Sequence, residues 1–159
     1  LIFFCFSSNA IDFNTYFEEA SLRIDYYHVG NHETEHFAND ELYKEPYWGG
    51  SKINLVDTFG YGKYVYEVRD SISGTLIFSK GYSTLFGEWI DTEEAKTQWR
   101  SFSESVVLPF PKKAIKVDFL KRSKQGVLKL MYTTYVNPKD YQIRKQLKSL
   151  NQQYYGRLK

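Results

Sequence analysis

Two histidines four residues apart, with a glutamate directly after the first, form the segment "HETEH" from His32 to His36. These residue types at this spacing could hold zinc. On a helix, a four-residue separation puts both imidazoles on one face, and the glutamate between them serves as general base toward a metal-bound water. The chain has 3 histidines, so His28 would be the remaining imidazole available as a third ligand.

The flanks of the motif argue against that chemistry. Gly30 and Asn31 stand immediately before His32, where a helix interior is needed, and both residues favour turns. Glu35 places a charge at a middle position that ordinarily carries an uncharged residue. The extended form of the motif asks for a glycine three residues after the second histidine and another histidine three beyond that, but Asn39 and Leu42 occupy those places. Glu41 and Glu45 are downstream carboxylates, and nothing in the pattern fixes either at helical reach. His28 closes an alternating strand on its apolar side, the usual place of a core histidine with satisfied hydrogen bonds. No other set emerges. No serine sits in a nucleophile-elbow context, and the pairs Glu18-Glu19 and Glu93-Glu94 are adjacent, so their side chains diverge. The expectation is therefore no catalytic residue, no metal ligand and no cofactor in this chain.

The elements that would position any site are mostly strands. The 159 residues are one domain's worth, and 42% hydrophobic content suffices for a core. Aromatic residues reach 18%, with 14 Tyr and 12 Phe, a composition suited to pleated, half-buried surfaces. In "LRIDYYHV", Leu22, Ile24, Tyr26 and His28 alternate with Arg23, Asp25, Tyr27 and Val29, as in a strand with one buried face. Residues 31–52 read as a long excursion. "YGKYVYEVRD" and "TLIFSKGY" form a hairpin across the turn "SISG". "DTEEAKTQWR" predicts a helix near Asp91–Arg100, with Asp91 as cap, Glu94 at the capping-box position, and Ala95 and Trp99 on one face. "SESVVLPF", "AIKVDFL" and "VLKLMYTTYV" are further strands, the last expected to bury Leu128, Leu130, Tyr132 and Thr134. Strands do not alternate with helices, so the expected fold is mainly β, an antiparallel β-sandwich with one short α-helix.

The ends carry different signals. Leu1–Phe6 is an apolar run followed by small residues, with Ser8 and Ala10 at the spacing a signal peptidase reads, so residues 1–10 read as the remnant of a secretory signal peptide cleaved after Ala10. The only cysteine, Cys5, lies in that run, and Phe4 before it argues against a lipid anchor. Residues 11–138 are the expected domain, and the basic tail 139–159 reads as a linker or the start of a second domain. Net charge is +2, a weaker basic balance than nucleic-acid binders usually show. No segment beyond the leader is long and apolar enough to span a membrane. Acidic residues concentrate before Glu45 and basic ones after Lys112. This pattern is expected from two solvated faces, or from an interaction surface at each end.

The blocks "FNTYFEEASLRIDYYHVGN", "EHF", "YWGGSKINLVDTFGYGKYVYEV", "FGEW" and "SVVLPFPKKAIKV" occur in that order. Together they resemble the N-terminal domain of the bacterial IgA metallopeptidase family, family sixty-four of the metallopeptidases, over roughly Ile11 to Tyr141. The resemblance implies a secreted protein, often from Bacteroidetes-type gut bacteria. It implies a β-sandwich accessory domain followed by a separate zinc-peptidase domain, which carries the catalytic H-E-x-x-H. No family catalytic residue is carried over to this sequence, and "HETEH" reads as a coincidence within a loop. The function expected from the resemblance is a non-catalytic accessory domain, with the zinc-peptidase domain of the same protein as partner and a glycoprotein as possible substrate. The other class is a glycan- or protein-binding sandwich, for which exposed Tyr47 and Trp48 would form the platform.

Overall fold

The computed structural model describes residues 11–146. The proposed leader 1–10 and the tail 147–159 lie outside the described residues. A single helical turn, α1 (Phe13–Tyr16), opens the domain, capped by the Asp12 carboxylate, which accepts the Thr15 N–H at 2.9 Å. Then come β1 (Phe17–Gly30), β2 (Glu35–Glu45), β3 (Tyr64–Asp70), β4 (Leu76–Tyr82), α2 (Leu85–Trp89), β5 (Arg100–Pro111), β6 (Ile115–Arg122), β7 (Leu128–Val136) and the short β8 (Arg144–Lys145). They form two four-stranded sheets, ordered β5-β1-β2-β8 and β4-β3-β6-β7. All pairings are antiparallel except β2 with β8. The expected antiparallel sandwich is the fold observed.

Alternation builds the core. Leu22, Ile24 and Tyr26 of β1 and Val106, Leu108 and Phe110 of β5 face Tyr66 and Val68 of β3 and Val117 and Phe119 of β6. Along these strands alternate side chains turn inward, so one sheet's apolar face is buried on the other's. Asn39 of β2 donates across the sheets to Thr134 Oγ1 of β7 at 2.6 Å.

Three sequence expectations are corrected. First, 31–52 is not all excursion, because Glu35–Glu45 is a full partner of β1. Its pairing jumps from Asn39 opposite Tyr26 to Leu42 opposite Ile24, so a bulge reverses the inward phase and hides the alternation. Second, Leu128 and Leu130 face outward. The β6–β7 register skips Met131, which leaves Tyr132, Thr134 and Val136 inside and turns the two leucines to solvent. Third, Asp91–Arg100 is not an α-helix. Only Glu94–Lys96 forms a 3-10 turn, and the α-helix of this region is α2, earlier in the chain. The proposed caps are used elsewhere. Asp91 accepts from Lys63 Nζ at 2.7 Å, and Glu94 takes the Trp89 indole N–H at 2.9 Å and the Arg100 guanidinium at 2.5 Å. Ala95 is buried while Trp99 is exposed, so the two do not share a face.

The segment from Lys139 stays on the domain as far as Gln146. Ile143 is buried, β8 pairs with Tyr43-Lys44, and the Gln146 N–H donates to the Lys44 carbonyl at 2.9 Å. No helix among the described residues is long and apolar enough to cross a membrane.

The long connection 46–63 is ordered against β4. Leu55 is buried and its carbonyl accepts the Ser79 N–H at 2.9 Å, while Asp57 accepts the Gly81 N–H at 3.2 Å. Gly81 has no room for a side chain, since a Cβ there would stand 1.9 Å from the Tyr61 carbonyl oxygen. Gly81→Ala is therefore expected to cost about 1–3 kcal/mol and to push the loop outward. Limited proteolysis should cut faster within 46–63 of the variant, whereas an unchanged cleavage pattern and stability would contradict the contact.

Candidate functional site

The HETEH segment contains no helix. Asn31 Oδ1 accepts the N–H groups of Glu33 at 3.0 Å and Thr34 at 2.8 Å, making a side-chain-closed turn. His32 sits in that turn, its N–H donating to the Ala95 carbonyl at 3.1 Å and its exposed imidazole 3.7 Å from Glu33. Glu35 and His36 are consecutive on β2, so they point to opposite faces. Glu35 enters the sandwich. His36 lies outside, its ring parallel to Trp99 with centroids 6.2 Å apart. The two imidazoles of the motif thus never share a face. Among the described residues, no group of three or more His, Cys, Asp or Glu side chains is placed to hold a metal ion. After dialysis the chain and its His32→Ala/His36→Ala variant are both expected to lack stoichiometric zinc. Tight zinc that disappears in the variant would contradict this geometry.

The structure gathers a different set of titratable groups inside the sandwich. His28, fully buried, faces Glu104 Oε2 through Nδ1 at 3.0 Å and Glu35 Oε1 through Nε2 at 2.9 Å. Lys121 of β6 pairs with the other Glu35 oxygen. Tyr26 donates to Glu104 Oε2 at 3.0 Å, so its oxygen is left to accept from the Tyr82 hydroxyl 3.2 Å away. Glu104 Oε1 takes the Phe86 N–H at 3.0 Å, which ties α2 to β5. Alternation explains the convergence. Glu104 is two residues before the core residue Val106, Glu35 two before the inward Phe37, and Lys121 two after Phe119. Among the described residues the buried Tyr64 hydroxyl has no partner in hydrogen-bonding geometry, although it is near enough to Glu35 to feel its charge.

These contacts decide the charges. An ionised carboxylate only accepts, so both His28 nitrogens must carry protons and the ring is an imidazolium. Burial opposes that charge, but the hydrogen bonds to Glu104 and Glu35 overcome it and raise the His28 pKa. Burial likewise opposes ionised Glu35, and the bonds from His28 and Lys121 outweigh it, lowering its pKa to about 2. Glu104 is lowered in the same way, by His28 and the Phe86 N–H against burial. Burial above all holds Tyr26, Tyr64 and Tyr82 well above the ordinary phenol range. The two carboxylates and two cations sum to zero. The imidazolium also lies between aromatic rings, Phe86 at 3.9 Å and Phe37 at 4.1 Å between centroids, which stabilises its charge.

A general base must reach a substrate proton. His28 is sealed between Phe37 and Phe86, and its carboxylate partners and Lys121 join strands of both sheets. The expected core histidine is observed, and its carboxylate partners are Glu35 and Glu104. Glu104 is legible from its phase with Val106 in "SESVVLPF". Glu35 is not, because the bulge in β2 hides the alternation of its strand.

The proposed aromatic platform also divides. Trp48 packs edge-on against Phe78 with centroids 5.8 Å apart, and its indole N–H donates to the Ser51 carbonyl at 3.1 Å, so it packs the loop. Tyr47 is about half exposed. The most exposed ring pair on this loop is Phe59 and Tyr61, parallel with centroids 6.1 Å apart.

The sequence model of the family described as Peptidase M64 N-terminus matches residues 12–133. No curated protein matches the chain. The match runs from the α1 cap through both sheets into β7, and the chain belongs to the Peptidase M64 N-terminus family.

Proposed function

We propose that this domain is a non-catalytic N-terminal accessory domain of a secreted zinc metallopeptidase. It supports or positions the catalytic domain of the same protein, or that domain's substrate. One observation carries the reading: the family match spans the sandwich, while the histidines of the metalloprotease-like segment sit in a turn and on an outward strand position. The titratable groups that do converge neutralise one another inside the fold. The leader-like opening of the sequence supports export to the periplasm, cell surface or medium as part of this reading.

The test is to produce the proposed peptidase domain with and without this one. An accessory role predicts a lower kcat/KM on a folded glycoprotein when the domain is removed, with cleavage of a short peptide unchanged. An equal loss on both substrates, or none on either, would contradict it.

The second reading, a glycan- or protein-binding module, is favoured by the parallel exposed rings of Phe59 and Tyr61 on an ordered loop rather than by Tyr47 and Trp48. Phe59→Ala/Tyr61→Ala should leave stability nearly unchanged and abolish any retention on a glycan or protein array. Retention equal to the parent's would remove this reading.

A further inference from the structure

His32 belongs to a pocket of about 460 Å³ at one end of the sandwich, lined also by Lys63, Lys121, Arg122, Lys124 and Asp91. The basic residues come from distant parts of the chain. The turn before β2 supplies His32, the entry to β3 supplies Lys63, and β6 with the turn after it supplies the rest. The framework is held by backbone bonds. The Arg122 N–H donates to the Lys63 carbonyl at 2.8 Å, Ser123 N–H to the Val127 carbonyl at 2.8 Å, and Gly126 N–H to the Ser123 carbonyl at 2.9 Å.

The charges do not cancel here. Asp91 is matched by Lys63 at 2.7 Å, and Lys121 by Glu35, which does not line the pocket. Arg122 uses its Nε on the Gly62 carbonyl at 3.3 Å. Among the described residues, neither its terminal guanidinium nitrogens nor the Lys124 ammonium has a carboxylate partner. Two cationic residues therefore line one concave space with no carboxylate matched to either. A guanidinium offers paired donors to a tetrahedral oxyanion, and an ammonium adds a point charge.

We propose that this pocket binds a dianionic phosphate or sulfate group, held by Arg122 and Lys124 with His32 at the rim. Lys63 and Lys121 are engaged by their own carboxylates and add little net field. The basic bias of the C-terminal third of the sequence thereby acquires a local use.

The test is an NMR titration of the whole chain with sodium phosphate, sodium sulfate and sodium chloride at matched ionic strength. Phosphate, sulfate or both should give saturable amide shifts at 32–34, 62–63 and 122–126, and chloride none. The stronger of the two names the group. Arg122→Gln/Lys124→Gln should weaken binding by about tenfold or more, the equivalent of about 1.4 kcal/mol. Lys113→Gln/Lys139→Gln removes the same charge near the opposite end of β6 and should leave binding unchanged. Should the double variant unfold, Lys124→Gln alone, on an exposed turn, must still weaken binding. Equal shifts with chloride would overturn the proposal. So would equal loss in the control variant, or binding of an acidic peptide without any binding of phosphate or sulfate.

Discussion

Replacing His28 by alanine is expected to cost the fold about 3–5 kcal/mol, a large share of the stability of a domain this size. The substitution removes the imidazolium that Glu35 and Glu104 both bind, at 2.9 Å and 3.0 Å, and leaves two carboxylates in the interior with a shared cation gone. Glu35 keeps Lys121, and Glu104 keeps Tyr26 and the Phe86 N–H, so each charge is only partly compensated. The ring's contacts with Phe37 and Phe86 are lost as well. Urea unfolding measures the cost. Neutralising both acids in His28→Ala/Glu35→Gln/Glu104→Gln should recover part of it, because the penalty lies in unpaired charge more than in volume. A single-variant cost below about 1 kcal/mol would show that the cluster is not a charge network.

The same network sets how stability varies with pH. Glu35 has a folded pKa of about 2 against an ordinary 4.5. Its contribution is therefore present above pH 4.5 and lost as pH falls through about 2, and at about 1.36 kcal/mol per pKa unit it amounts to about 3 kcal/mol. Glu104 is lowered too and acts in the same direction. His28 is raised above 6.5, so its contribution is full below pH 6.5 and fades as pH climbs through the raised value. The groups facing His28 are Glu35 from β2, Glu104 from β5 and Tyr64 from β3, with Tyr26 and Lys121 behind the carboxylates. Stability should therefore plateau between about pH 4.5 and 6.5 and fall on both sides. Glu35→Gln should flatten the acid limb. A urea midpoint that keeps rising from pH 6.5 to 9 would contradict the assignment of a charged His28.

Period-two strands with a buried face were legible in the sequence. Leu22, Ile24, Tyr26 and His28 sit inward as alternation predicts. What escaped reading has two physical causes. Bulges near Asp40 and at Met131 reverse the inward phase within β2 and β7, which hides the alternation of β2 and turns Leu128 and Leu130 outward against the period. Tertiary partners also outbid local propensity. Glu94 is drawn to Trp89 and Arg100 instead of closing a capping box, and β5 begins pairing at Arg100, which leaves a helix over Asp91–Arg100 no room. The site suffered from both. Glu35 looked like a defect in a metal motif, but it is the inward carboxylate of a polar strand.

We propose that this Peptidase M64 N-terminus domain holds no catalytic centre of its own. The most direct test incubates the purified chain with casein and with IgA in the presence of zinc, with and without a chelator. No cleavage above background under either condition is predicted. Cleavage that the chelator abolishes, and that His32→Ala/His36→Ala also abolishes, would contradict it.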